Sequence, residues 1–242
     1  MSKVDRAIEY MRKLVDELDE YKIEYQALIN KYASAVESAL DRDPDADLSI
    51  YLESFQSELE GIFEDSIKSG ISTALERNNS DSTKIAAIIA LFATRSVYNT
   101  SAISSKIVNT FKEEAMFHNM FLKEKVSFKD FVKDPRRVAN QNGINIDTLK
   151  NEIASVKGGI SYRVSSNIDS AIAYIAVKAH QDTLVEEWKE EGVKGYIGHR
   201  ASTYDCPECD EVCERFFPLD KMVFPVHPHC CCVIVEVTLP QA

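Results

Sequence analysis

The stretch VDRAIEYMRKLVDELDEYKIEYQALINKYASAVESAL, residues 4–40, decides the fold class. Val4, Ile8, Met11, Val15, Leu18, Tyr21, Tyr25, Leu28, Tyr32, Val36 and Leu40 recur at steps of mostly four and three, which gathers them into one stripe along an α-helix. Asp16, Glu17, Asp19 and Glu20 fill the opposite side. The pattern predicts a long core helix or the arm of a helical hairpin, or else a coiled-coil seam for a partner helix.

Reading onward, Asp41-Arg42-Asp43-Pro44-Asp45 interrupts the stripe, and a second helix is expected from about Leu48 to Glu76, with Gly61 and Gly70 as its weak points. Asn78-Asn79-Ser80-Asp81 reads as a turn. Ile85 to Val97 reads as a helix apolar on almost every side, fit for a bundle centre, and a further helix is expected from about Ser101 to Lys123. Residues 123–137 interleave lysines and arginines with Phe128 and Phe131, the composition of an amphipathic connector or of a weak nucleic-acid contact. Asn140-Gln141-Asn142-Gly143 is a turn, Ile146 to Val156 a short helix and Gly158-Gly159 a stop or hinge. From a cap at Ser166-Asn167, the series Ile168, Ala171, Ile172, Ile175 and Ala179 carries a last helix to Trp188 and the ending Lys189-Glu190-Glu191-Gly192.

Composition agrees with a mainly α protein. Among 242 residues, 8 glycines and 7 prolines are too few for the turns of a sandwich or barrel. Hydrophobic residues at 45% and charged residues at 28% support a packed core and argue against disorder. A formal net charge of −11 repels a phosphate backbone at long range and gives no whole-chain reason to expect strong nonspecific nucleic-acid binding, which leaves room only for a local basic patch. The first residues lack the apolar stretch of a signal peptide. The longest apolar run, Ile85 to Ala93, is far shorter than the roughly 20 residues that span a bilayer, so no membrane partner is expected.

All six cysteines lie between Cys206 and Cys232. Clustering of this kind in a chain made in a reducing compartment points to metal binding ahead of disulfides or buried free thiols. Cys206-Pro207-Glu208-Cys209 is a C-x2-C knuckle, and His227-Pro228-His229-Cys230 supplies an H-x2-C partner after seventeen residues. Each spacing lets one tight turn aim two ligands at a single ion. The expected ligands of a structural zinc ion are therefore Cys206, Cys209, His227 and Cys230. In an extended segment Cys230 and Cys232 share a side, so Cys232 is the alternative fourth ligand, while Cys231 faces away. A segment of this size buries too little surface to stand alone, whereas structural zinc contributes an apparent ~10–16 kcal/mol in finger-sized peptides. Cys232 to Val237 reads as a strand, expected to form a hairpin with Lys221 to Phe224.

A catalytic metal is the rival reading. No histidine is followed two residues later by glutamate, which removes deaminase chemistry. His199-Arg200 or His229 could polarise a water in a nuclease-like or toxin-like site, but the residues from Cys206 onward are themselves acidic. Cys213 and Cys231 are spare thiols without an evident base. A helical adaptor of cellular origin is a third reading.

Glu191-Gly192-Val193, the segment Gly195-Tyr196-Ile197, Asp205-Cys206-Pro207-Glu208-Cys209 and Pro225-Val226-His227-Pro228-His229-Cys230-Cys231-Cys232 together resemble the C-terminal signature of the phage Mu F-like minor head proteins, also called phage head morphogenesis proteins. That family's closing motif usually reads P-P-x-H-P-N-C-R-C; here Phe224 replaces the first proline, His229 the asparagine and Cys231 the arginine. The resemblance covers about the last eighty residues. Zinc is read from these residues, because family members often lack the first cysteine pair. The resemblance implies a non-enzymatic virion component in few copies, associated with portal and capsid proteins inside the head during assembly and expelled with the DNA, and self-association through the N-terminal helices would suit it. The expected organisation is a helical body over residues 1–160 and a minor-head-like module over 161–242, with its zinc-binding segment at 206–232.

Overall fold

The computed structural model describes residues 2–43, 45–78, 98–123, 161–202 and 204–238. Four long helices carry most of them: α1 (Lys3–Arg42), α2 (Ser49–Asn78), α3 (Thr100–Lys123) and α4 (Ser161–Glu190). After these come strand β1 (Gly195–His199), the single turn α5 (Pro207–Asp210), β2 (Phe216–Pro218) and β3 (Val233–Val237). The protein is mainly helical with a small C-terminal sheet, as the residue pattern predicts. The expected helices at Ile85 to Val97 and Ile146 to Val156, the turns at Asn140 and Gly158, and the basic stretch to Arg137 lie outside the described residues. Among the described residues, no helix is long and apolar enough to cross a membrane.

The chain divides into two compact units, and the division is not the expected one at residue 160. One unit holds Met1–Lys22, Gly61–Thr100 and Asp169–Ala242; the other holds Ile23–Glu60 and Ser101–Ile168. The boundary moves because α1, α2 and α4 each contribute to both units, so the C-terminal module shares its core with the beginning of the chain.

In the second unit the core is aromatic. Phe55 of α2 stacks on Tyr32 of α1 at 5.5 Å and on Phe111 of α3 at 4.9 Å between ring centroids. Both phenylalanines are fully buried. Tyr32 keeps its hydroxyl satisfied by donating to Glu58 Oε1 at 2.6 Å, and Ser104 donates to Glu60 Oε1 at 2.7 Å. The α1–α2 connection is built from aspartates: Asp43 Oδ1 accepts from the Asp45 N–H, and Asp47 Oδ1 accepts from the Ser49 N–H at the start of α2. That bond to Ser49 holds the Asp47 carboxyl below its ordinary pKa.

In the first unit α1 opens with a reciprocal cap. Ser2 Oγ accepts from the Asp5 N–H and Asp5 Oδ2 accepts from the Ser2 N–H, both at 3.0 Å. Along α1 most of the expected stripe is buried, Met11, Leu18, Tyr25, Leu28, Tyr32, Val36 and Leu40 among it; near the start Ala7 and Leu14 join the packed face, while Val15 is 42% exposed. Small Ala7 belongs to the packed face, and Val15 instead lines a cleft of about 230 Å³ with Leu18, Ile172, Val177 and Cys231. Helix α2 continues through Gly61 and Gly70. At Gly70 a side chain would collide with the Ala176 carbonyl of α4, so glycine there allows the two helices to approach.

Helix α4 begins at Ser161, ahead of the expected cap at Ser166. It ends as its sequence predicts. Gly192 has φ +72°, and the Val193 N–H donates to the Trp188 carbonyl at 3.0 Å, the six-to-one bond that closes a Schellman turn. The turn sends the chain into β1, the centre of an antiparallel sheet of order β2-β1-β3. The expected hairpin between Lys221–Phe224 and the last strand is not formed. β3 pairs with β1 instead, from Gly195 opposite Val237 to His199 opposite Val233. Residues 221–224 are held by one side chain: Tyr196 Oη donates to the Lys221 carbonyl at 2.7 Å and accepts from the Val223 N–H at 3.0 Å. With those groups satisfied, that segment has no need of a strand partner.

Two helical side chains reach β3. Gln181 of α4 donates to the Cys232 carbonyl at 2.8 Å, and Arg77 of α2 donates to the Ile234 carbonyl at 2.7 Å. Carbonyls two residues apart leave the same side of an extended strand, so the two donors close a sheet edge that has no strand partner among the described residues. Arg77 also lies over Trp188, 5.8 Å from the ring centroid. Burial lowers its guanidinium to about 10.

Candidate metal centre

The knuckle is preset by backbone geometry. Cys206 is the N-cap of α5 with Pro207 in the first helical position, and the Asp210 N–H donates to the Cys206 carbonyl at 3.0 Å. The Cys213 N–H then donates to the Cys209 carbonyl at 2.8 Å, which brings Cys213 back beneath the turn. Opposite, the Cys230 N–H donates to the His227 carbonyl at 3.1 Å, closing the H-x2-C turn. His229 sits at the tip of that turn with φ +61°. Histidine, like asparagine, is among the non-glycine residues that adopt this left-handed conformation more readily than most.

The imidazole of His227 is oriented for ligation. Its Nδ1 is 2.6 Å from the Pro228 carbonyl, which can only accept, so Nδ1 carries the proton and Nε2 faces the sulfurs. Nε2 is 3.1 Å from Cys206 Sγ and 3.2 Å from Cys209 Sγ. The Pro228 bond, ahead of the neighbouring thiols, raises the pKa of this ring above the ordinary value.

The donors fall into two groups that share Cys209. Cys206, Cys209 and His227 form one, and Cys209, Cys230 and Cys232 form the other, with donor atoms in each within 4.8 Å of one another. Cys209 Sγ and Cys230 Sγ are 3.8 Å apart. Two thiolates on a tetrahedral zinc ion, each about 2.3 Å from the metal, are themselves about 3.8 Å apart. Of the four predicted ligands, Cys206, Cys209 and His227 thus converge, and Cys230 reaches them through Cys209. Cys232 shares its side, as the extended-chain argument predicts, while Cys231 belongs to neither group.

The protonation energetics fit a cation. Burial pushes Cys209 up to about 12, and the adjacent Cys230 thiol together with burial pushes Cys232 up strongly. Cys230, accepting from Cys232, falls to about 5, and Cys206 is lowered by the Cys209 N–H. So many thiols in a dry site cannot all ionise beside one another, and a divalent cation removes that conflict. The donors are soft sulfur with one imidazole, a set suited to a zinc-class ion.

The cluster also forms a hydrophobic core. Cys209, Cys213, Cys230 and Cys232 pack with Trp188, Tyr196, Phe217, Phe224 and Ile234. The residues that could open a hydrolytic site have other partners. His199 Nδ1 is 2.8 Å from Glu214 Oε1, Arg200 pairs with Asp210, and His229 Nε2 is 2.9 Å from Ser170 Oγ. These contacts brace the knuckle and the H-x2-C turn from outside. Sequence reasoning missed Cys213 as a neighbour of Cys232, at 3.7 Å, and missed the Gln181 and Arg77 clamps. Cys213 is four residues beyond Cys209, one helical turn on, and that spacing was the available signal. The chain matches no protein-family model, no curated protein and no solved structure.

Proposed function

We propose that this chain is a phage minor head (head morphogenesis) protein, a non-enzymatic component that works beside the portal and capsid proteins inside the assembling head. The observation that carries the reading is the joining, in one module, of the family-like closing motif and the knuckle. His227, Cys230 and Cys232 of that motif stand with Cys206 and Cys209 around common positions at the end of α4. A structural zinc ion held there by Cys206, Cys209, His227 and Cys230 supplies cross-linking and no bond-breaking chemistry. His199 and His229 being held by Glu214 and Ser170 favours this reading over a hydrolytic one. The long helices of the N-terminal half supply surfaces for protein partners, including further copies of the chain. The place of action is the virion interior, and the host cytoplasm during assembly.

The test is co-expression with the portal and capsid proteins encoded in the same genome, followed by gradient purification of particles and quantitative mass spectrometry. A few copies per particle, retained through purification, is the expected result. Particles that assemble normally and never carry the chain would refute the role.

A further inference from the structure

A one-ion site leaves Cys213 and one of Cys230 or Cys232 without a task, although both are buried against the others. The donors form three successive pairs. Cys206 Sγ and His227 Nε2 are 3.1 Å apart, Cys209 Sγ and Cys230 Sγ 3.8 Å, and Cys213 Sγ and Cys232 Sγ 3.7 Å. The middle pair has a neighbour on each side: Cys209 is 3.2 Å from His227 Nε2, and Cys209 and Cys230 both group with Cys232. Two tetrahedra that share an edge need six donors, a terminal pair for each ion and a bridging pair between them. The two sulfur pairs have the separation of about 3.8 Å expected for thiolates sharing one tetrahedral ion.

We propose that the module binds two zinc-class divalent ions, with Cys206 and His227 terminal on the first, Cys213 and Cys232 terminal on the second, and Cys209 and Cys230 bridging both. This deepens the structural-metal reading of the same site and rests on it. Five thiolates, a neutral imidazole and two divalent cations leave one net negative charge, the same as a one-ion site with three cysteines and a histidine. Arg200 lies within electrostatic reach of Cys209 and Cys232 and offsets part of it. Cys209, Cys213, Cys230 and Cys232 are each less than a tenth exposed, so the bridging pair and the second ion's terminal pair are shielded from water. Cys231, partly exposed and a member of none of the three donor pairs, serves as the internal control.

The experiment is zinc content per chain, by elemental analysis together with native mass spectrometry, on full-length protein purified under reducing conditions. Two zinc ions are expected in the wild type and in Cys231→Ser, and one in Cys213→Ser. One zinc ion in the wild type, unchanged by Cys213→Ser, overturns the two-ion site and leaves the single structural ion standing. No metal at all overturns both. Should Cys213→Ser fail to fold, cadmium-113 NMR of the cadmium-substituted wild type decides: two mutually coupled resonances support bridging thiolates, and a single resonance refutes them.

Discussion

Gln181→Met separates the hydrogen bond that holds β3 from the packing around it. Methionine keeps the length and most of the volume of glutamine, so little cavity forms. What is lost is the bond to the carbonyl of Cys232, a residue 4% exposed. A buried acceptor stripped of its donor costs about 1–3 kcal/mol. Part of that is returned, because Gln181 Oε1 is itself buried without a partner and disappears in the variant. The net loss is about 1–2 kcal/mol, or roughly 2–8 °C in Tm for a chain of this size. Because the bonded carbonyl belongs to a residue of the second donor group, metal transfer to a chromophoric chelator should also quicken. Guanidinium unfolding of the metal-loaded protein reads the first effect and stopped-flow chelation the second. An unchanged midpoint with unchanged release would refute the claim that α4 fixes this strand through Gln181.

Arg77→Met should behave as a partner of that variant, freeing the Ile234 carbonyl while removing the cost of a buried cation, so its loss of about 1–2 kcal/mol should be no larger than that of Gln181→Met in the same unfolding assay. Phe55→Ala empties the centre of the aromatic stack on Tyr32 and Phe111 and should cost about 3–5 kcal/mol by chemical denaturation, with metal content unchanged because the site lies in the other unit. His180 is 1% exposed, and burial, followed by the charge of Arg77, lowers its pKa to about 3. The unfolded chain takes up that proton near the ordinary value of 6.5 and the folded chain does not, so its contribution is complete above pH 6.5 and is lost as pH falls toward 3. His180→Gln should therefore reduce the slope of stability against pH between 6.5 and 5 by up to about 1.4 kcal/mol per unit, measured by urea unfolding at each pH with excess zinc present.

The helices were legible because their signals are local. The apolar rhythm of α1, the run ending at Gly192 and the aspartates before α2 each act within a few residues of the structure they produce. Most of the α1 stripe was legible too, and it differs only near the helix start, where Ala7 and Leu14 are buried and Val15 is not. Ala7 carries too little hydrophobicity to mark the packed face, and Val15 too much to mark a cleft wall. The knuckle and the H-x2-C turn were legible from spacing, since a tight turn fixes where two nearby side chains point. The partner of β3 was not. Gly195–His199 is short and flanked by a turn, and its pairing with Val233–Val237 depends on Tyr196 occupying residues 221–224, a contact that no local pattern reveals. Gln181 and Arg77 look like solvated polar positions in a helix. Only the open edge of a strand far along the chain gives them a buried task.

The central claim is that a metal ion holds the C-terminal module together. Hydrogen–deuterium exchange of the purified chain, followed by mass spectrometry before and after treatment with a strong chelator, tests it most directly. The account predicts that amides of β1, the knuckle and β3 lose their protection on chelation, while the part of α1 beyond Ile23 and α3, both in the other unit, retain theirs. Protection over residues 195–238 that is indifferent to the chelator, in a protein without bound metal, would contradict it.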